Sequence, residues 1–405
     1  MFALKEKSCI PCLIIGTFVL FPFLMLPFIF MEIYNGRRYP LVLLAIFMGC
    51  LSMFYYPSGD QFRYFNDLNA YRFLSFNDVF HIDSPLFVVE FNLINILLFA
   101  LAKININLEL FRWLMVFIVY IITFWIFIDI CNRHQLSRNT RFIVFLLLYL
   151  ATPLYLTTYG FRTGVGACFM TLGVYLLCVK SSKIGYFYLL MASITHVFFL
   201  LHSIFIPILM WTRYYMSRRL FLLVMLVVSV STNFIIDFLY GRWLFLDLLF
   251  DSYVYGEFGR DYVWDSFMIR DVVLNGGIPF IFSGILFLLT KPRNKMANII
   301  YCILLIFIIS LPYYTFIHRV IRSSLLLVVV YLCLHIEQKF VMKYYNILAI
   351  WLFISFLVPF WNNRYQYKHA QLEKVAYYPL PMLLLNTYEK DDINKKVDYD
   401  GEFRK

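Results

Sequence analysis

The sequence predicts an all-α fold: a polytopic integral-membrane helical bundle of about ten to twelve spans, with two longer outer loops. Three observations carry this. Hydrophobic residues make up 62% of the 405-residue chain and charged residues only 15%, where a soluble domain carries about 25% charge. The apolar residues fall in runs of about 20, enough to cross hydrocarbon as helix. These runs also lack the polar–apolar alternation that a membrane barrel requires.

The first run, Ile10 to Phe30, contains Pro11, Pro22 and Pro27, so a kink is expected in a span over 10–31. Further spans are expected at 39–56, 110–130, 142–159, 163–179, 185–211, 219–240, 274–290, 296–316, 320–336 and 344–361. A weaker segment, 86–102, carries Glu90, Asn92 and Asn95, which are costly in lipid. It reads as interfacial or re-entrant. The run 185–211 is long for one span and is flanked by basic connectors at both ends. A hairpin of two half-helices meeting near Ser193 to His202 answers both facts; the other solution is a single long tilted helix that breaks the charge rule. Residues 1–361 thus form the membrane-embedded region, and 362–405 a polar C-terminal tail whose end, from Glu389, is expected to be disordered.

Charge gives orientation and excludes some functions. The formal net charge is +11, but Lys and Arg sit mostly in short connectors. That placement fits topology and contact with the lipid bilayer, not nucleic acid. Arg133/Arg138/Arg141, Lys180/Lys183, Arg213/Arg218/Arg219 and Lys291/Arg293/Lys295 mark the cytoplasmic side. The acidic connectors 57–85 and 241–273 are then expected outside. Neither a P-loop nor a dinucleotide fingerprint is present. The eight cysteines lie mostly within or beside apolar runs, as small helix residues do. No metal or cofactor is expected.

Four groups stand out as chemistry-bearing. Asp60 closes Tyr55-Tyr-Pro-Ser-Gly-Asp and is followed by Arg63, Tyr64 and Tyr71. A carboxylate there is suited to a sugar hydroxyl or to base work; the plainer reading is a helix cap. Arg162 opens a Gly/Ala-rich span after Tyr159. A helix dipole opposes a cation at that end, so Arg162 does not serve helix stability; it is suited to gripping a diphosphate, or else it snorkels to headgroups. His196 and His202 lie six residues apart, off a common helical face, which argues against a shared metal. Each is suited to proton transfer, a phosphate contact or an interhelical bond. His318, Arg319 and Arg322 place three donors within five residues, where the spans 296–316 and 320–336 meet. Two separate cationic groups and a histidine, all expected on the outer side, suggest an anionic ligand at the membrane surface.

In order, Asp60-x3-Tyr64, then Phe161-Arg162 opening a Gly/Ala-rich span, then Met191-Ala-Ser-Ile-Thr-His196-Val-Phe-Phe, then Phe316-Ile-His-Arg319-Val resemble the EpsG family of exopolysaccharide and O-antigen polymerases, the Wzy-type proteins. The resemblance covers about residues 10–360. Thr195 stands where an aromatic often precedes the histidine, and His202 follows closely. The resemblance implies joining of oligosaccharide repeat units carried on undecaprenyl diphosphate, at the outer face of the bacterial cytoplasmic membrane. It implies an undecaprenyl-diphosphate-linked oligosaccharide as partner and admits a chain-length regulator. The family's Asp-x3-Tyr, Arg and His positions correspond to Asp60, Tyr64, Arg162 and His196, and its late Arg to Arg319; the implied chemistry then suits Arg162, Arg319 and Arg322 to diphosphate stabilisation, with His318 beside them. His196 or Asp60 is the candidate base, and Tyr64, Tyr159 and Tyr313 are candidates to stack on sugar faces. An O-antigen ligase or GT-C-type glycosyltransferase is the competing enzyme reading. A lipid-linked-sugar flippase or transporter is the competing non-enzyme reading.

Overall fold

A computed structural model describes residues 2–80, 92–255, 266–290, 292–336, 343–362 and 370–389, with residues 393, 396 and 397. In chain order its helices are α1 (Phe2–Leu20), α2 (Leu26–Tyr34), α3 (Tyr39–Met53), α4 (Asp60–Tyr71), α5 (Phe76–Phe80), α6 (Leu93–Lys103) and α7 (Leu108–His134). Next come α8 (Arg138–Leu150), α9 (Leu154–Tyr159), α10 (Phe161–Cys178), α11 (Ile184–Thr195), α12 (Phe198–Trp211), α13 (Arg218–Leu239) and α14 (Leu244–Tyr253). The rest are α15 (Ser266–Val272), a π-turn (Val273–Gly277), α16 (Ile278–Leu289), α17 (Lys295–Ser310), α18 (Tyr314–Leu334), α19 (Tyr345–Asn362), α20 (Glu373–Tyr377) and α21 (Leu380–Leu384). No strand occurs among the described residues. The protein is a multi-pass helical membrane protein, as its composition predicts. Among the described residues, five stretches are long and apolar enough to cross a bilayer: 108–134, 138–159, 161–178, 218–239 and 314–334.

Helix ends follow local chemistry. Asn92, Asn107, Ser217 and Asn294 each accept a hydrogen bond from the backbone N–H three residues on, at 3.0, 3.1, 3.3 and 2.8 Å. Each such cap contributes about 1 kcal/mol. Asn92, expensive in lipid by sequence, is therefore the N-cap of α6. That helix has 11 residues, about 16 Å of rise, too short to cross on its own. Residues 81–91, including Glu90, lie outside the described part.

Prolines set the breaks. The expected kink in 10–31 is a full interruption between α1 and α2, with Pro22 just past the end of α1 and Pro27 in the first turn of α2. Pro153 precedes α9 and splits 142–159. Pro312 lies in the break before α18. That break falls earlier than the sequence placed it. His318 and Arg319 are therefore not in a connector but, like Arg322, inside α18. Polar side chains there interrupt the apolar run without interrupting the helix.

Segment 185–211 is two helices, α11 and α12, broken at His196 and Val197. Ser193 Oγ donates to Ser203 Oγ at 2.6 Å, and Ser203 Oγ donates to Leu189 O at 2.8 Å. The chain therefore doubles back, as the paired basic flanks predict. The second long connector is partly helical: α14 lies within it, α15 closes it, and residues 256–265 lie outside the described part.

The chain forms two compact units. The first contains residues 1–145, 152–161 and 363–405; the second contains 146–151 and 162–362. The tail set apart by sequence thus belongs to the first unit's fold. There α21 packs on α3 and α1. Apolar burial alone drives little helix association in lipid, so close approach and hydrogen bonds matter more. In the first unit α3 lies against α7 at Gly49, where a Cβ would stand 2.7 Å from Trp113 Cδ1. In the second unit Gly173 and Gly185 bring α10 and α11 together; a Cβ on Gly173 would stand 2.8 Å from Gly185 O. The second unit's core joins α12, α13, α14 and α18 through Phe198, Ile236, Phe250, Tyr253, Phe316 and Val320. Helix α18 is its buried axis, with 78% of its apolar window covered, against 17% for α13.

Candidate functional site

In the second unit, the chemistry collects on the first turns of α10. Arg319 Nη1 donates to Thr163 Oγ1 at 2.6 Å. Thr163 is buried and follows Arg162 directly. The contact carries the α18 guanidinium to the turn where Arg162 sits. Arg322 lies three residues on and shares the α18 face with Arg319. The His318 ring stacks on Tyr314, centroids 5.7 Å apart and planes 18° apart. Among the described residues no ion pair forms at Arg319. A partly buried guanidinium held by a neutral hydroxyl is costly unless an anion joins it.

The hairpin meets the same helix one turn further on. A methyl group at Gly166 would overlap the Phe199 ring, so glycine is needed there for contact. His196 ends α11 in an extended conformation, with φ −158° and ψ 129°. Its Nδ1 accepts from the Phe198 N–H at 3.1 Å. In its neutral form the ring therefore carries its proton on Nε2. His196 so held presents a donor, not a base. Phe198 also touches the Phe316 ring at 6.1 Å, one turn before Arg319. His202 is buried, ringed by Phe198, Phe199 and Phe205 at 5.3–5.7 Å. Neither of its ring nitrogens has a hydrogen-bond partner among the described residues.

The first unit holds the aromatic and carboxylate groups. Gly59 precedes α4 with φ 54° and ψ −131°, a backbone state open mainly to glycine. It sets Asp60 as the first residue of α4, 42% exposed, with Arg63 Nη2 at 3.8 Å from Oδ1. Tyr64 is buried and stacks on Phe161, centroids 5.6 Å and planes 25° apart. Tyr159 donates its hydroxyl to Tyr56 O at 2.8 Å and packs edge-on to Tyr55. Tyr64 and Tyr159 are thus built into the scaffold, and Asp60 is the accessible member. In the second unit Tyr313 donates to Asn233 Oδ1 at 3.1 Å and is likewise buried.

Sequence reading missed several residues. Gln61, fully buried, donates from Nε2 to Thr158 O at 2.7 Å, while its Oε1 and the Thr158 hydroxyl have no partner among the described residues. Thr163, the anchor of Arg319, was also passed over. Most telling is the buried pair Glu109 and Arg112, 3.8 Å apart at the start of α7. Charges at the edge of an apolar run were the one weak signal in the sequence. The tail residue Tyr388 donates its hydroxyl to Phe54 O at 2.7 Å. Burial pushes its phenol well above the usual tyrosine range, with Arg112 pulling it back. In the acidic connector, Tyr240 donates to Asp251 Oδ1 at 2.7 Å, and that bond raises its pKa. No group of three or more metal-ligating side chains occurs among the described residues.

Comparisons of the chain with family models, curated proteins and solved structures gave no match.

Proposed function

We propose that this protein is a membrane glycosyltransferase that polymerises lipid-linked oligosaccharide repeat units at the outer face of a bacterial cytoplasmic membrane. The observation that carries the reading is Arg319: a guanidinium on the buried helix of the second unit, held by the Thr163 hydroxyl beside Arg162. Such a cation suits the diphosphate of a polyprenyl carrier. Arg322, Arg162 and the His196 Nε2–H are the further donors. In the reaction an acceptor-sugar oxygen bonds to the anomeric carbon of the growing chain. The bond from that carbon to the diphosphate oxygen breaks, and its electron pair leaves with the lipid diphosphate. Fixed cations stabilise that charge more in the leaving state than in the ground state, which is what accelerates the step. The acceptor proton passes to a base. Asp60 is the assigned base, because its carboxylate is accessible while His196 Nδ1 is spent on the backbone. The sequence resemblance to the Wzy-type polymerases points the same way, and the acidic connectors fit the outer side.

The test is genetic. Deleting the gene and rescuing with Arg162→Ala is expected to leave single repeat units where wild type gives a glycan ladder. A normal ladder from Arg162→Ala, at normal protein level, would remove Arg162 from the site. Loss of surface glycan without single units would favour a flippase or ligase instead.

A further inference from the structure

We infer that the C-terminal segment 371–388 is a positioning strap for the Tyr55–Asp60 turn, with Glu109, Arg112 and Tyr388 as its positioning residues. The argument is an accounting of backbone carbonyls. Helix α3 ends at Met53, and a helix leaves its last carbonyls without intrahelical donors. In lipid or in a protein interior each must find one. Here the donors come from two distant parts of the first unit. Arg112 Nη1 donates to Tyr55 O at 2.6 Å and Nη2 to Met53 O at 3.4 Å. Phe54 O accepts from Gln371 N at 3.1 Å and from the Tyr388 hydroxyl at 2.7 Å. Asn386 Nδ2 adds a contact to Met53 O at 3.5 Å.

The strap and Arg112 are joined to each other. Arg112 is fully buried and pairs with Glu109, itself buried. Glu109 Oε1 also accepts from Tyr388 N at 3.3 Å. One carboxylate thus balances the guanidinium and receives the strap. The Tyr388 ring lies edge-on to Tyr56 at 5.1 Å, and Tyr56 O accepts from the Tyr159 hydroxyl. Holding residues 53–56 from both ends fixes the turn through Pro57, Ser58 and Gly59, and so fixes where α4 presents Asp60. The chain end therefore acts on the Asp60 carboxylate without touching substrate. For its catalytic consequence this rests on the polymerase reading.

The experiment is hydrogen exchange on the full chain in nanodiscs, wild type against Tyr388→Ala, with glycan ladders from the same variants in cells. Tyr388→Ala is expected to speed exchange at Tyr55, Ser58, Gln61 and Phe62 by about tenfold, the scale of one lost hydrogen bond. Amides of α18 are expected to keep their rates. The ladder is expected to shorten. Tyr388→Phe keeps the ring on Tyr56 and is expected to fall between, which also covers a Tyr388→Ala protein that does not accumulate. Unchanged exchange at residues 55–62 in both variants overturns the strap. Faster exchange with a normal ladder, while Arg319→Ala abolishes the ladder, overturns the positioning role and leaves the polymerase reading standing. If Arg319→Ala also leaves the ladder intact, the polymerase reading itself fails.

Discussion

Two arginines, one in each unit, sit inside helical bundles with opposite company. Arg112 is fully buried at the start of α7, paired with Glu109 and donating to two backbone carbonyls. Arg319 is partly buried near the start of α18 and donates to one hydroxyl. Arg112's charge is balanced within the fold. Arg319's is not balanced by any described carboxylate. Burial alone therefore does not separate a structural cation from a functional one; the partner does. A buried pair holds its neighbours in register, whereas a cation left on a hydroxyl is ready for an anion from outside.

The largest effect should come from breaking this contrast on the structural side. Arg112→Ala strands a buried Glu109 carboxylate and reopens the end of α3, a loss of about 3–5 kcal/mol. The expected outcome is a protein that no longer accumulates in membranes, read by quantitative blotting. Arg319→Ala, by contrast, should accumulate normally and lose polymerisation by about 100-fold or more, the scale of one removed oxyanion donor. If the two variants behaved alike, the partner rule would fail.

The contrast also shows where the sequence was legible. Arg319 stood out because two donors flank it within a short stretch, and Arg162 because it opens a small-residue span. Arg112 and Glu109 lie where an apolar run begins, so they merged with a span boundary. Thr163 and Gln61 carry no signal of their own: a threonine in a span and a glutamine on a helix take meaning only from what folds against them. The hairpin at His196 was legible because charge at both flanks is a long-range constraint. The position of the α17–α18 break was not, because composition cannot distinguish a polar helix turn from a connector. Nor was the docking of the tail, which depends on carbonyl groups that every residue has.

A smaller effect sharpens the second unit. Gly166→Ala should cost about 1–3 kcal/mol by overpacking Phe199. Phe199→Ala in the same chain should recover part of that loss. Thermal unfolding of the three variants measures the coupling, and strict additivity would mean the hairpin does not rest on α10 at Gly166. Asp60→Asn tests the first unit from the other direction. Its carboxylate is 42% exposed, so the change in stability should stay within about 0.5 kcal/mol. Polymerisation should nevertheless fall by about 100-fold, within the range of a lost general base. Full activity would pass the base role elsewhere.

The smallest effect is in pH. The Tyr388 phenol is raised above its unfolded value of about 10, so the folded state holds the proton longer than the unfolded chain. Its contribution to stability is therefore constant below about pH 10 and declines as pH rises beyond that. The difference in unfolding temperature between wild type and Tyr388→Phe should be flat from neutral pH to about pH 10 and shrink above it. A difference that shrank toward acid pH instead would contradict the burial of this phenol.

The most direct measurement is binding of undecaprenyl diphosphate to purified protein in nanodiscs, with wild type and Arg319→Ala side by side. The account predicts saturable binding by wild type and a loss of affinity of about 100-fold in Arg319→Ala, within the range for a charged hydrogen bond. Equal affinity in the two proteins would contradict it, because the cation beside Thr163 would then not be the one that meets the lipid diphosphate.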